Sequence, residues 1–278
     1  MRRKHTTRRF LCMLSAIAWA EAPLLQAQGT GPSTEELQKQ VQNPVSSLIS
    51  VPFQNNINFP IGPYSRVQDV LNIQPVVPLT LTRDWNLITR WITPVVYQPD
   101  VYAGDGGANG LGDLNPSSFL SPANPGKVIW GFGPTFLLPT ATYKTLGQGK
   151  WGAGPTFVVL TQPHPWTIGL LANNIWSFAG NKDREAVNQF LVQYFVNYNL
   201  KNGWYIGSQP ILTANWRVNG ENRWLVPFGW AVGKIVNVGK LPINAQLGVY
   251  YNLIHPKDLL YPKWQIRLQV ALLFPRSK

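Results

Sequence analysis

The sequence predicts an all-β protein: an antiparallel transmembrane β-barrel of about 12 strands behind a short N-terminal periplasmic helix. Three observations predict it. Segment after segment alternates apolar and polar residues with a period of two, the connections alternate between tight and long, and eleven tryptophans follow residue 27. Successive side chains of a strand point to opposite faces, so "KWQIRLQVALLF" (263–274) puts Trp264, Ile266, Leu268, Val270, Leu272 and Phe274 on one face. Gln265, Arg267 and Gln269 fall on the other. A soluble sandwich turns the apolar face into a core, whereas a membrane barrel turns it to lipid and gives the polar face to a wet lumen.

In chain order, the first element is an address. Met1-Arg2-Arg3-Lys4 and Arg8-Arg9 are followed by an apolar stretch, Phe10 to Ala20, and by small residues up to Ala27. A charged start, a short apolar run and a candidate cleavage site make residues 1–27 a secretory signal peptide. The cut is expected after Leu25-Gln26-Ala27, or after Ala18-Trp19-Ala20. The apolar run is too short to cross a bilayer as a helix, and no later stretch is long enough either. The only cysteine, Cys12, lies inside this segment, so disulfides and thiolate metal sites are excluded from the exported chain. Removing 1–27 leaves 19 basic and 11 acidic side chains. The basic residues are scattered, and export makes nucleic acid a poor partner; anionic headgroups or acidic solutes suit the charge better.

Residues 28–47 form a periplasmic segment with one short helix. Ser33 or Thr34 is placed to cap it, Glu36 stands at capping-box distance from Ser33, and Leu37 with Val41 makes an i,i+4 apolar pair. Asn43-Pro44 ends it. From residue 48 to 278 the chain reads as barrel. Segments near 50–60, 66–82 and 84–98 come first, the third opposing Trp85, Leu87, Trp91, Val95 and Tyr97 to Asn86, Arg90 and Pro94. Segments near 110–121, 127–139 and 150–162 follow, and the last two share a near-repeat, WGFGPTF (130–136) and WGAGPTF (151–157). Its glycines fall on the inner face, where a small barrel is crowded. Next come 164–177 and 187–200, the latter with Phe190, Val192, Tyr194, Val196 and Tyr198 against Gln189, Gln193 and Asn197. After 203–217, segment 222–235 opposes Trp224, Val226, Phe228, Trp230 and Val232 to Leu225, Pro227, Gly229, Ala231 and Gly233. Segments 242–253 and 262–274 finish the set.

The connections decide the class. Arg83-Asp84, 122–126, 162–165 and 201–203 are tight, while 99–109, 140–149 and 179–186 are longer and carry most of the loop charge. Bacterial barrels have short periplasmic turns, longer outer loops and an even number of strands. With both chain ends in the periplasm, twelve strands put every tight turn on the periplasmic side. A sandwich has no reason for that rhythm. Tryptophan favours membrane–water interfaces, which agrees.

Several stretches also resemble a known family: QNPVSSLISVPFQNN (42–56), WNLITR (85–90), GLGDLNPSSFLSP (110–122), WGAGPTFVV (151–159), NNIWSFAG (173–180) and LLFP (272–275). Over about residues 35 to 275 the chain resembles bacterial outer-membrane proteins labelled neuromedin-U-like, which are similar to the transporter family associated with the phenol-degradation MetA pathway. The resemblance implies an outer-membrane β-barrel and transport of small or aromatic compounds. It brings no catalytic residues.

Site chemistry is sparse. His164 and His255 each stand beside proline in connections at opposite barrel ends, too far apart to share a metal, and turn roles suit them. Gly104-Asp105-Gly106-Gly107 lacks the acidic ligands of a calcium loop. No nucleophile elbow, zincin, Walker or dinucleotide motif occurs. No cofactor and no metal are expected. An enzyme would need a nucleophile and a base at one rim, such as Ser208 or Thr213 with a histidine, and no spacing singles these out. The lumen carries the suggestive residues: Arg90, Asp113, Gln193, Arg217, Gln246, Gln265, Arg267 and Gln269 share the polar parity of their strands. An amide-lined lumen with a few arginines suits hydrogen-bonding solutes and a weak anion preference. The same groups also suit a plug in so narrow a barrel. The leading expectation is therefore a channel or transporter for small solutes, aromatic or anionic ones among them, in the outer membrane of a Gram-negative bacterium. A structural or adhesive barrel plugged by side chains or by the 33–43 helix is the alternative, and an outer-membrane enzyme the third. Expected partners are outer-membrane lipids, small-molecule solutes and the barrel-insertion machinery, with no nucleic acid.

Overall fold

A sheet that is apolar on its outer face leaves a row of unpaired backbone groups at each edge unless its first and last strands meet. In this protein, seen in a computed structural model, they meet. The structure describes residues 32–102, 106–218, 220–257 and 261–275. The predicted signal peptide, 1–27, lies outside the described residues, as do Gly104 and Asp105 of the outer loop.

Along the chain, α1 (Thr34–Val41) precedes β1 (Ile49–Ile61), β2 (Arg66–Ile73), β3 (Val76–Thr80), β4 (Trp85–Gln98), β5 (Ala108–Leu111) and β6 (Asn115–Pro122). Then come β7 (Val128–Leu137), β8 (Lys150–Thr161), β9 (Trp166–Gly180), β10 (Asn188–Asn199), β11 (Trp204–Ser208) and β12 (Ile211–Asn215). β13 (Trp224–Val238), β14 (Leu241–Ile254) and β15 (Trp264–Phe274) complete the wall. β2 with β3, β5 with β6 and β11 with β12 are single passes interrupted part-way, so these segments make a closed antiparallel barrel of 12 strands. The ring closes where β1 pairs with β15, from Ile49 opposite Phe274 to Phe59 opposite Trp264.

The alternation predicts unbroken segments over 66–82, 110–121 and 203–217, and the structure breaks each. Two breaks fall at Gln74-Pro75 and Gln209-Pro210, where proline has no N–H to continue a ladder. The third, Gly112 to Leu114, is a place where a Cβ on Gly112 would press on the Pro94 ring. The near-repeat has a geometric explanation. β7 and β8 pair so that Pro134 faces Pro155, Gly133 faces Thr156 and Thr135 faces Gly154, which relates the two copies by a local twofold. On their far sides, a Cβ on Gly133 would strike the carbonyl of Ser118, and one on Gly154 the carbonyl of Asn174. The repeated Gly-Pro is thus one solution to close strand approach, used twice across one seam.

The helix is where the capping signal puts it. Ser33 Oγ accepts a hydrogen bond from the Glu36 N–H at 3.1 Å, and Gln42 caps the other end. No described helix is long and apolar enough to cross a membrane. At one end of the barrel the strands join through short turns: 81–84, 123–127, 162–165, 200–203 and 239–240. At the other, all but the 62–65 connection are longer: 99–107, 138–149, 181–187, 216–223 and 255–263. On the outer face Leu268 and Val270 are 46% and 44% exposed, whereas Arg267 on the inner face is 4% exposed. Rings gather near both rims: Trp166 with Tyr198 and Trp85 with Trp130 near the short-turn end, Trp216 with Trp224 and Tyr251 with Trp264 near the long-loop end.

Candidate functional site

The inner face differs from an even amide lining. β1, β14 and β15 present buried Gln54, Asn56, Asn58, Asn244, Gln246 and Arg267, following the polar parity of their sequences. Across the lumen, near the short turns, β4, β6, β8, β9 and β10 present Ile88, Phe119, Val158, Leu160, Leu171 and Phe195 as a buried apolar cluster. Its seventh member, Val45, belongs to the N-terminal segment. That segment enters the short-turn end and plugs it. Leu37 and Leu48 pack with Ile235, Ala271 and Leu273 of β13 and β15, with Val41 against them. Three side-chain amides tie the segment to the wall: Gln38 Nε2 donates to the Trp204 carbonyl at 2.9 Å, Gln42 Nε2 to Asn199 Oδ1 at 2.8 Å, and Gln162 Nε2 to the Lys39 carbonyl at 2.8 Å.

Above the plug is a cavity of about 140 Å³, floored by residues 40–44 and 46. Of the predicted lumen residues, Arg90, Gln193, Gln246 and Gln269 meet at its wall. Arg90 Nη2 donates to Gln74 Oε1 at 2.6 Å. Its register explains the meeting: Arg90 of β4 lies opposite Val76, just after the break that turns Gln74 inward. Gln193 Nε2 reaches the Gln209 carbonyl at 3.5 Å, at the break between β11 and β12.

A second layer lies nearer the long loops. Arg267 Nε donates to Asn56 Oδ1 at 2.9 Å, Nη1 to the Gln209 carbonyl at 3.0 Å and Nη2 to Gln265 Oε1 at 3.0 Å. The guanidinium stacks 4.8 Å from the Tyr250 ring. Gln265 Nε2 in turn donates to Asn58 Oδ1 at 2.9 Å. Arg267 therefore ties the β1–β15 seam to the Gln209 carbonyl at the β11–β12 break, past β13 and β14. Among the described residues, no carboxylate forms an ion pair with Arg90 or Arg267.

Two predicted lumen residues are corrected. Asp113 is buried, but it holds a loop: its carboxylate accepts from the Ala141 N–H at 3.1 Å and the Gln148 N–H at 2.5 Å. Arg184 holds the same loop from the other side through the Gly147 and Gln148 carbonyls. Arg217 is an exposed residue of the turn beyond β12, which ends at Asn215; its N–H donates to Asn215 Oδ1 at 3.0 Å. Sequence reasoning placed Asn197 on the inner face but missed Gln42, Gln54 and Gln209 of the cavity wall. Gln54, Asn56 and Asn58 alternate in β1 and were legible; Gln42 and Gln209 sit outside any alternating run.

The residues considered for catalysis do not assemble. Ser208 is buried and donates to the Gly229 carbonyl at 2.6 Å. His164 lies in a short turn after β8 and His255 in the long connection after β14. No group of three or more metal-ligating side chains occurs among the described residues.

No family model matches the chain, and no curated protein does, so the neuromedin-U-like label has no support. Among solved structures, outer membrane phospholipase A from Escherichia coli covers 82% of this chain and 93% of its own at 11% identity and a TM-score of 0.41. The β domain of the Bordetella autotransporter Brka covers 83% and 100% at 14% identity and a TM-score of 0.42. Both superpose too loosely to bear on function. An outer membrane channel from Pseudomonas putida F1 covers 82% of this chain and 94% of its own, at 17% identity and a TM-score of 0.60. That likeness establishes the fold: this chain is a closed β-barrel of the outer-membrane type.

Proposed function

We propose that the protein is an outer-membrane channel for small solutes, closed at rest by its own N-terminal segment. The observation that carries this reading is the nature of the floor. The cavity is closed by a chain segment held by three amide hydrogen bonds and two small apolar clusters, and not by the wall's own side chains alone. A segment of that kind can leave as a unit. The outward apolar face with rings at both rims suits a bilayer, and the P. putida channel's fold supports the same class. Arg90 and Arg267, without carboxylate partners, favour anions in a confined low-dielectric passage. The reading has no catalytic step, and the hydrogen bond from Ser208 to a backbone carbonyl agrees with that.

The packing of Leu37, Val45 and Leu48 favours a second reading, a permanently plugged structural barrel. Planar-bilayer conductance separates the two. The wild type is expected to show small, intermittent currents, deletion of residues 32–47 steady and larger ones. Gln42→Cys with Asn199→Cys, joined by a short thiol crosslinker, is expected to silence the wild-type currents until reduced. No current from the deletion variant would defeat the channel and leave the structural barrel.

A further inference from the structure

The outside of the wall has an open groove at the short-turn rim, between the 162–165 and 200–203 turns and over the end of β10. Tyr198 and Leu200, on the outer parity of β10, line it with Trp204 at the start of β11, and each is about 40% exposed. Trp166 stands edge-on to Tyr198, with ring centres 4.8 Å apart. From there the outer faces of β9 and β10 run toward the midplane as Ile168 and Val196. Cations border this apolar surface. Exposed Lys201 and His164 line the groove from its two turns. Lys234 of β13 lies opposite Trp204 in register, with its Nζ 4.7 Å from the centre of the Trp204 ring. It shares the parity of Trp230 and Val232, so it places a charge on the face that otherwise meets lipid. A lysine is tolerated there by reaching a polar boundary, and the ring beneath the ammonium holds it. No Asp or Glu lines the groove. Helix α1 begins beside the same turn, where Thr34 lies against Gly203, but among the described residues neither Glu35 nor Glu36 forms an ion pair with Lys201. The groove is also held in shape. The Asn199 N–H donates to the Pro165 carbonyl and the Leu200 N–H to the Trp204 carbonyl, both at 2.8 Å, while Gln38 and Gln42 of the plug grip Trp204 and Asn199 from inside.

We infer that this groove binds one anionic phospholipid, of the phosphatidylglycerol class, from the leaflet at the short-turn end. Its phosphate sits by Trp204 between Lys201 and Lys234, with His164 as a further donor. Its acyl chains lie on Tyr198, Leu200 and the Ile168–Val196 track. Two positive charges with no carboxylate in the groove favour a headgroup that is negative overall. Phosphatidylethanolamine fits less well, because its ammonium is repelled by the lysines and meets no acid in return. Free phosphate would satisfy the lysines and leave Tyr198, Leu200 and Trp204 uncovered, and an apolar solute would do the reverse. A phospholipid supplies both halves, and rings at this depth are where lipid headgroups and chains meet. The inference rests on the membrane setting of the channel reading and not on conductance.

Native mass spectrometry of the detergent-solubilised barrel counts bound lipids and tests the site with dioctanoyl phosphatidylglycerol and dioctanoyl phosphatidylethanolamine. One phosphatidylglycerol is expected to bind at concentrations where phosphatidylethanolamine does not. Lys201→Gln with Lys234→Gln is expected to weaken it by about twentyfold, roughly fivefold for each positive charge beside an anionic lipid. Lys127→Gln with Lys240→Gln, exposed in other turns of the same rim, is expected to leave binding unchanged. Inorganic phosphate in tenfold excess over the lipid is expected to leave it in place. Equal binding of the two lipids by the wild type overturns the site, and that comparison needs no variant to fold. An equal loss in the Lys127 and Lys240 variant would mean diffuse attraction to the rim, and displacement by inorganic phosphate would mean a site for phosphate alone; either result overturns the lipid assignment. Conductance fails or succeeds independently. A barrel that retains phosphatidylglycerol and never conducts sustains the site and defeats the channel, whereas a conducting barrel indifferent to headgroup sustains the channel and defeats the site.

Discussion

Arg267 concentrates the chemistry of the lumen in one side chain. Its three hydrogen bonds all go to neutral oxygens, and the Tyr250 ring covers the guanidinium. Arg267→Met leaves those acceptors without their donor, and the expected loss is about 1–3 kcal/mol of barrel stability. Urea unfolding in liposomes measures it; stability equal to wild type would mean that the brace holds nothing. The neighbouring residues test the facing. An arginine at Leu268 near the midplane costs about 2–4 kcal/mol, whereas one at Gln269 faces the lumen and costs much less. Equal tolerance of Leu268→Arg and Gln269→Arg in bilayers would contradict the observed parity. Period-two reading placed both residues from sequence because β15 is unbroken and pairs on both edges. It failed at Arg217 because β12 stops two residues earlier, and parity carries no information past a strand's end. It failed at Asp113 for a different reason. A carboxylate that looks lumenal by counting is claimed by N–H groups 28 and 35 residues further on.

At the level of elements, the regular pieces were legible and the joints were not. The twelve passes, the alternation of short and long connections and the Ser33 cap follow from local rules, since alternation, turn residues and capping act over a few positions. The breaks at Gln74-Pro75 and Gln209-Pro210 depend on what the adjoining strands offer, so proline alone did not reveal them. The location of the N-terminal segment was left open for the same reason. Leu37, Val45 and Leu48 look like scattered apolar residues of a leader until Phe119, Leu160 and Ile235 are seen opposite them. The helix inside the plug gives an energetic handle. Ser33→Ala removes the cap and is expected to destabilise the helix by about 1 kcal/mol, which shifts the balance between seated and released plug by roughly fivefold. Single-channel open time reads that shift; an unchanged open time would mean that the helix does not govern release.

For the whole molecule, selectivity depends on which charges are inside. Arg90→Gln is expected to move the reversal potential in a salt gradient toward cation preference, while Arg217→Gln, in an exposed turn, is expected to leave it in place. An equal shift from both would place the selecting field at the mouth instead of the lumen. The plug's contacts also impose an order in time. Val45 rests on β4 to β10, but Leu37 and Leu48 rest on β13 and β15, the last of which also seals β1. The first described part of the chain therefore receives its complete seat from the last strand to be made. During biogenesis the segment can settle only after the final strand arrives, so its burial signals that the ring is finished. A chain ending before β15 is expected to leave residues 32–48 open to protease at any stage of maturation, and the full-length barrel to protect them only once it has closed.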